Sequence, residues 1–136
     1  MANRGYAGVT LTEFIVVIII MGVLATLAFP QFIRSKERAI GREAIANLKL
    51  IAAAEKIYRM EAVTGYYPLA LPNPQSAIAD INSYLRLSIT ETNWDYAVTG
   101  AASTFSSTAT RVSGSYSGCT YTIDNSTDEP ATATCP

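Results

Sequence analysis

From Val9 to Phe29 the chain runs VTLTEFIVVIIIMGVLATLAF, 21 residues that are nearly all apolar or small. As a helix, a run of that length covers about 30 Å, the thickness of a bilayer core. Its one carboxylate, Glu13, sits near the start. Pro30 follows; it has no N–H, and its ring crowds the preceding turn, so a bend is expected near it. Beyond Pro30 the apolar positions Ile40, Ala44, Leu48, Ile51, Ala54 and Tyr58 recur every three or four residues. That spacing draws one apolar stripe on a helix. Arg38, Arg42, Lys49, Lys56 and Arg59 lie mostly off it. With no strong breaker before Gly65-Tyr66-Tyr67-Pro68, the pattern predicts one helix of about 50 residues from Val9 to near Ala62.

The rhythm then changes. Pro68, Pro72 and Pro74 mark a loop. Gln75 to Leu87 fits a short helix with Ile78, Ile81 and Leu85 on one side, and Asn73 or Ser76 as its cap. Trp94 to Val98 alternates large apolar residues with others, as a half-buried strand does. Phe105 to Val112 and Thr120 to Ile123 read as two more strands, punctuated by Gly100, Gly114 and Gly118. Such close spacing favours an antiparallel meander. The expected class is α+β: a long N-terminal helix, apolar in its first half, whose second half packs on a small antiparallel sheet of three to four strands. The chain divides into a leader over residues 1–8, a hydrophobic helix over 9–30, its amphipathic continuation over 31–62, and a head over 63–136.

Charge changes the picture modestly. The net charge is −1, so no strong field favours nucleic acid, and none is expected as a partner. The distribution is uneven. Residues 31–62 hold seven bases and four acids, and residues 63–136 hold two bases and six acids. Two solvated surfaces, or complementary packing between copies of the chain, would each explain this. There is no His, no glycine-rich phosphate loop and no cysteine–base pairing, which leaves no catalytic motif and no cofactor site. Cys119 and Cys135 are too few for a zinc centre. Behind a membrane-length segment they predict a disulfide outside the cytoplasm, worth on the order of 3 kcal/mol by chain-entropy arguments; two free thiols are the alternative. Asp124, Asn125, Asp128 and Glu129 could offer hard oxygens to a weak calcium site, or form an ordinary acidic turn.

Gly8-Val9-Thr10-Leu11-Thr12-Glu13-Phe14, followed by the apolar run to Ala25, resembles the N-terminus of type IV pilins, and equally that of the pseudopilins of type II secretion. The resemblance implies the pilin fold and cleavage by a prepilin peptidase between Gly8 and Val9. Val9 then becomes a methylated N-terminus, and Glu13 takes the place of the family's glutamate. Val9 stands where Phe is usual, and Thr12 where a large aliphatic is common. Pro30 falls where pilins interrupt the helix, and Gly22 where it loosens in filaments. The Cys119/Cys135 pair resembles the disulfide that closes the C-terminal loop of many type IV pilins.

A lone carboxylate in hydrocarbon must protonate or find a partner. Cleavage after Gly8 would create one, because the freed amine of Val9 is cationic near neutral pH. In a bundle of staggered identical helices, that amine can meet Glu13 of the adjacent copy; a slip of register would leave a charge unpaired. The expected product is a helical filament of identical subunits, built by the pilus assembly machinery. The subunit would first be held in the bacterial inner membrane by a single span, with its head outside the cytoplasm. The bases Arg34, Lys36 and Arg38 after the span run against the positive-inside rule; the motif and the cysteine pair carry the orientation. A periplasmic pseudopilus subunit is the alternative. A membrane-anchored monomeric binding module is a third reading, in which the Tyr residues and Trp94 offer stacking surfaces rather than core.

Overall fold

The computed structural model describes residues 8–62, 64–70, 72–133 and 135–136, the side chains of residues 27 and 28 excepted. The leader expected over residues 1–8 therefore lies outside the described residues up to residue 7, as does Val63 at the expected head boundary. The chain divides into two compact units, Met1–Lys36 and Glu37–Pro136. Helix α1, Leu11–Ala62, begins in the first and ends in the second.

In the first unit α1 has no tertiary cover among the described residues. Its run breaks between Thr26 and Phe29. That is where the Pro30 ring meets the carbonyl four residues back. The Thr26 hydroxyl also donates to the Val23 carbonyl at 2.7 Å, a back-bond that bends helices. By length and composition no single described helix is long and apolar enough to cross a membrane; Leu11–Thr26 and Phe29–Ala62 pass together, as a broken pair.

In the second unit α1 lies on a four-stranded antiparallel sheet, a meander in the order β1-β2-β3-β4. The strands are β1 (Trp94–Gly100), β2 (Phe105–Arg111), β3 (Thr120–Asp124) and β4 (Ala131–Ala133). Trp94 pairs with Arg111, Thr108 with Thr122, and Tyr121 with Thr132. Inward positions alternate as period two requires: Trp94, Tyr96 and Val98 on β1, Phe105, Ser107 and Ala109 on β2, Tyr121 and Ile123 on β3. Ala44, Leu48, Ile51 and Ala54 of the expected stripe are buried against them, with Ile40 and Tyr58 half-buried at its ends. Gly41 lets the helix approach β3, since a Cβ there would come to 2.7 Å from the Tyr121 hydroxyl. The Trp94 indole N–H donates to the Ile40 carbonyl at 3.1 Å, and the Asn47 amide donates to the Tyr96 hydroxyl at 2.8 Å.

Two acids of the amphipathic half depart from a solvated surface. Glu37 and Glu55 are buried. Glu37 accepts from Arg111 Nε at 3.2 Å, in an ion pair whose side chains are only 9% and 4% exposed. Arg111 also donates to the Asn93 carbonyl at 2.8 Å and lies over the Trp94 ring, 5.7 Å from its centroid. A buried charge of this kind needs every one of these partners.

The short helix is α2, Ile78–Leu85, and it starts later than its apolar pattern suggests. Neither Asn73 nor Ser76 caps it; Ala77 holds the N-cap position with no side-chain bond. The reason lies one step earlier. Gln75 is bridged to Val98 by two backbone hydrogen bonds, of 2.7 and 2.8 Å, which keep the chain extended. Asn73 instead ties the loop to β1, donating to the Gly100 carbonyl at 2.7 Å. At Gly100 the loop backbone comes so close that a Cβ would overlap the Tyr67 carbonyl. Because backbone cannot swing aside, Gly100→Ala should cost about 1–3 kcal/mol of stability or more, as overpacked sites do. Urea unfolding of the variant against the parent chain measures it.

Candidate functional site

The N-terminal segment enters α1 through a capping arrangement. Thr10 is the residue before the helix. Its Oγ1 accepts from the backbone N–H of Glu13 at 3.3 Å, and its carbonyl accepts from the Phe14 N–H at 3.1 Å. Thr10-x-x-Glu13 is the sequence form of a capping box, with Glu13 at the third helical position. An acid there also complements the positive end of the helix dipole. This role for Thr10 escaped the reading of the segment as an anchor; the Thr-x-x-Glu spacing is the signal that could have found it.

Among the described residues the Glu13 side chain is exposed and has no hydrogen-bond or ion-pair partner. Val9 is 73% exposed. Gly22 faces open space, with nothing within 4 Å of where a Cβ would sit. Between Val9 and Phe32, fourteen large apolar side chains of the described residues are exposed, none less than 41%. They cover every side of the helix. A surface of this extent marks a contact with lipid or with other protein.

The expected disulfide is present. Cys119, the residue before β3, joins Cys135 across a Cα–Cα distance of 5.2 Å. The acidic turn lies within the loop this bond closes. Its four candidate metal ligands are engaged separately. Asp124 Oδ1 accepts from the backbone N–H groups of Ser126 and Thr127 at 2.8 and 3.1 Å, and from both hydroxyls. These bonds hold its carboxyl below the usual carboxylate range. Asn125 Oδ1 accepts from the Phe105 N–H at 3.4 Å. Lys56 reaches Asp128 at 3.4 Å and Lys49 reaches Glu129 at 2.6 Å, tying the loop to α1. Among the described residues no group of three or more acidic, His or Cys side chains is placed to hold a metal ion.

Glu55 is the other site that the sequence pattern hides, because an acid one position past Ala54 looks solvent-facing. It is fully buried. Its Oε2 accepts from the Tyr67 N–H at 2.9 Å, and among the described residues its Oε1 has no partner. Burial outweighs that single bond and pushes its pKa from 4.5 up to about 8. Below pH 4.5 the carboxyl keeps its proton folded or unfolded, so this site adds no cost. As pH rises toward 8, only the unfolded chain ionises freely, and stability falls by up to about 1.4 kcal/mol per unit. Above pH 8 the loss levels off. Glu55→Gln should flatten that slope and unfold at higher urea than the parent chain at pH 9; parallel slopes would show that the parent's pH dependence arises elsewhere.

No family model matches the chain. No solved structure matches it. It is similar to core protein G of the type II secretion system of Aeromonas hydrophila, 32% identical over 90 residues, covering 62% of each chain. It is similar to the type IV major pilin protein PilA of Myxococcus xanthus, 41% identical over 59 residues, covering 43% of this chain and 26% of that one. Core protein G of Pseudomonas aeruginosa is 38% identical over 61 residues, covering 45% and 43%. The matches thus span less than two thirds of these relatives' own length.

Proposed function

We propose a filament-subunit function for this chain, which belongs to the family of type IV pilins and type II secretion pseudopilins. It is a pilin, cleaved between Gly8 and Val9 by a prepilin peptidase and polymerised through α1 into a type IV pilus. The observation that carries this reading is the uncovered apolar surface of α1 from Val9 to Phe32. Nothing else among the described residues shields it, so it passes from the inner membrane to the company of its own copies. The freed Val9 amine neutralises Glu13 of a neighbouring copy and fixes the stagger between helices. The assembled product lies outside the cell.

Pairing with an amine requires the charge of Glu13, whose side chain makes no capping bond among the described residues. Glutamine keeps the size and polarity of the side chain without the charge, whereas alanine removes both. Both Glu13→Ala and Glu13→Gln should be cleaved after Gly8, and both should lose filaments by electron microscopy. Normal filaments from cleaved Glu13→Ala subunits would overturn the register role; normal filaments from Glu13→Gln would show that the charge of Glu13 is not what fixes the register.

The 62% coverage of the Aeromonas core protein G favours a second reading, a pseudopilus subunit. The disulfide and the lysine-engaged acids of the C-terminal loop support the pilin. Under that reading the melting temperature is insensitive to chelator, while a reductant removes about 3 kcal/mol by freeing the loop. Thermal melts in EDTA and in dithiothreitol make the comparison. A fall with EDTA alone turns the assignment toward a calcium-held loop.

A further inference from the structure

A second site lies on the head, where α1, the loop after it and α2 meet. A cleft of about 290 Å³ opens there, lined by Tyr58, Tyr67, Gln75, Asp80 and Tyr84 among others. Tyr67 and Tyr84 stack with centroids 5.0 Å apart, and Tyr58 meets Tyr67 edge-on at 5.8 Å. Tyr84 is 59% exposed, so part of its ring is open to solvent.

The walls are fixed. Glu55 holds the Tyr67 N–H, the Tyr66 N–H donates to the Ala101 carbonyl at 2.9 Å, and Gln75 is bridged to β1. The Gln75 side chain is buried and fully committed: its Nε2 donates to Asp80 Oδ2 at 3.0 Å, and its Oε1 accepts from the Ala77 N–H at 2.9 Å. The amide thereby aims the Asp80 carboxylate. Asp80 has no ion pair among the described residues, and no base lines the cleft. Arg59 is spent on Tyr66, Lys56 on Asp128, and Arg86 on Glu61.

An oriented carboxylate without an ion-pair partner, beside the exposed Tyr84 ring, attracts an organic cation, since an aromatic face adds its quadrupole to the charge. The same carboxylate repels anions. The second Asp80 oxygen and the tyrosine hydroxyls of the lining are also available as acceptors, so a cation that donates hydrogen bonds fits as well. A quaternary ammonium donates no hydrogen bond and asks only for rings and a counter-charge. We propose that this cleft binds an organic ammonium group, with Asp80 as counter-ion and Tyr58 and Tyr84 as its aromatic walls.

The test uses the full chain in a polyoxyethylene micelle, with tyrosine ring resonances followed by NMR during titration with choline. The expected result is a saturable shift confined to the cleft tyrosines. Its midpoint should weaken tenfold or more in Asp80→Asn and in Tyr84→Ala, two substitutions at exposed positions. The neutral isostere 3,3-dimethylbutanol should bind at least tenfold more weakly than choline. Glycerophosphocholine separates the sources: tighter binding than choline points to a lipid headgroup, and weaker binding to a free cation. The proposal fails if choline gives no saturable shift, if the neutral isostere matches it, or if Asp80→Asn leaves the midpoint unchanged.

Discussion

An α-helix satisfies its backbone internally, so its side chains alone decide which solvent it accepts. Helix α1 is the case in which one such element is offered two. From Glu37 onward its inner face meets a sheet of its own chain, and Ala44, Leu48 and Ile51 disappear from water. Before Glu37 it meets nothing among the described residues, and up to Phe29 its exposed surface is apolar nearly all round. The inward residues of the sheet are occupied by the second half of the helix, by Tyr66 and by Tyr67. An apolar helix surface left exposed in this way marks a contact with lipid or with other protein.

The first residue of the packed unit is held by charge rather than by apolar packing. That residue is Glu37, and its partner Arg111 ends β2, braced by Asn93 and by the Trp94 ring. A buried pair with a full set of hydrogen bonds adds little net stability, yet it tolerates few alternative arrangements. It sets where on the helix the sheet begins. At the other end of the packed stretch Glu55 does the same for the loop, gripping the Tyr67 backbone at the expense of an unsatisfied oxygen.

Much of this was readable in the residues. Period 3.6 between Ile40 and Tyr58, and period 2 in Trp94 to Val98, each have one physical reading, and α1 and β1 follow them. What escaped depended on partners distant in the chain. The start of α2 was set by the pairing of Gln75 with Val98, which no local propensity encodes. Strand β4, Ala-Thr-Ala, is exposed throughout and carries no hydrophobic signal; it exists because Thr120 to Thr122 offer it a ladder. The burial of Glu37 and Glu55 was invisible for the converse reason: an acid on a helix reads as wet until a strand or loop closes over it. The Thr10 cap was legible but eclipsed by the membrane-length run that follows it.

The borders of the sheet carry a last consequence. A free strand edge is a template on which another chain can add. Here the outer side of β1 is met at Val98 by Gln75, and the other border is β4, only three residues long. Crowded heads thus have little backbone to offer one another, and strand exchange between them is discouraged. In the proposed filament, cohesion between copies then falls to the apolar surface of α1 rather than to the borders of the sheet.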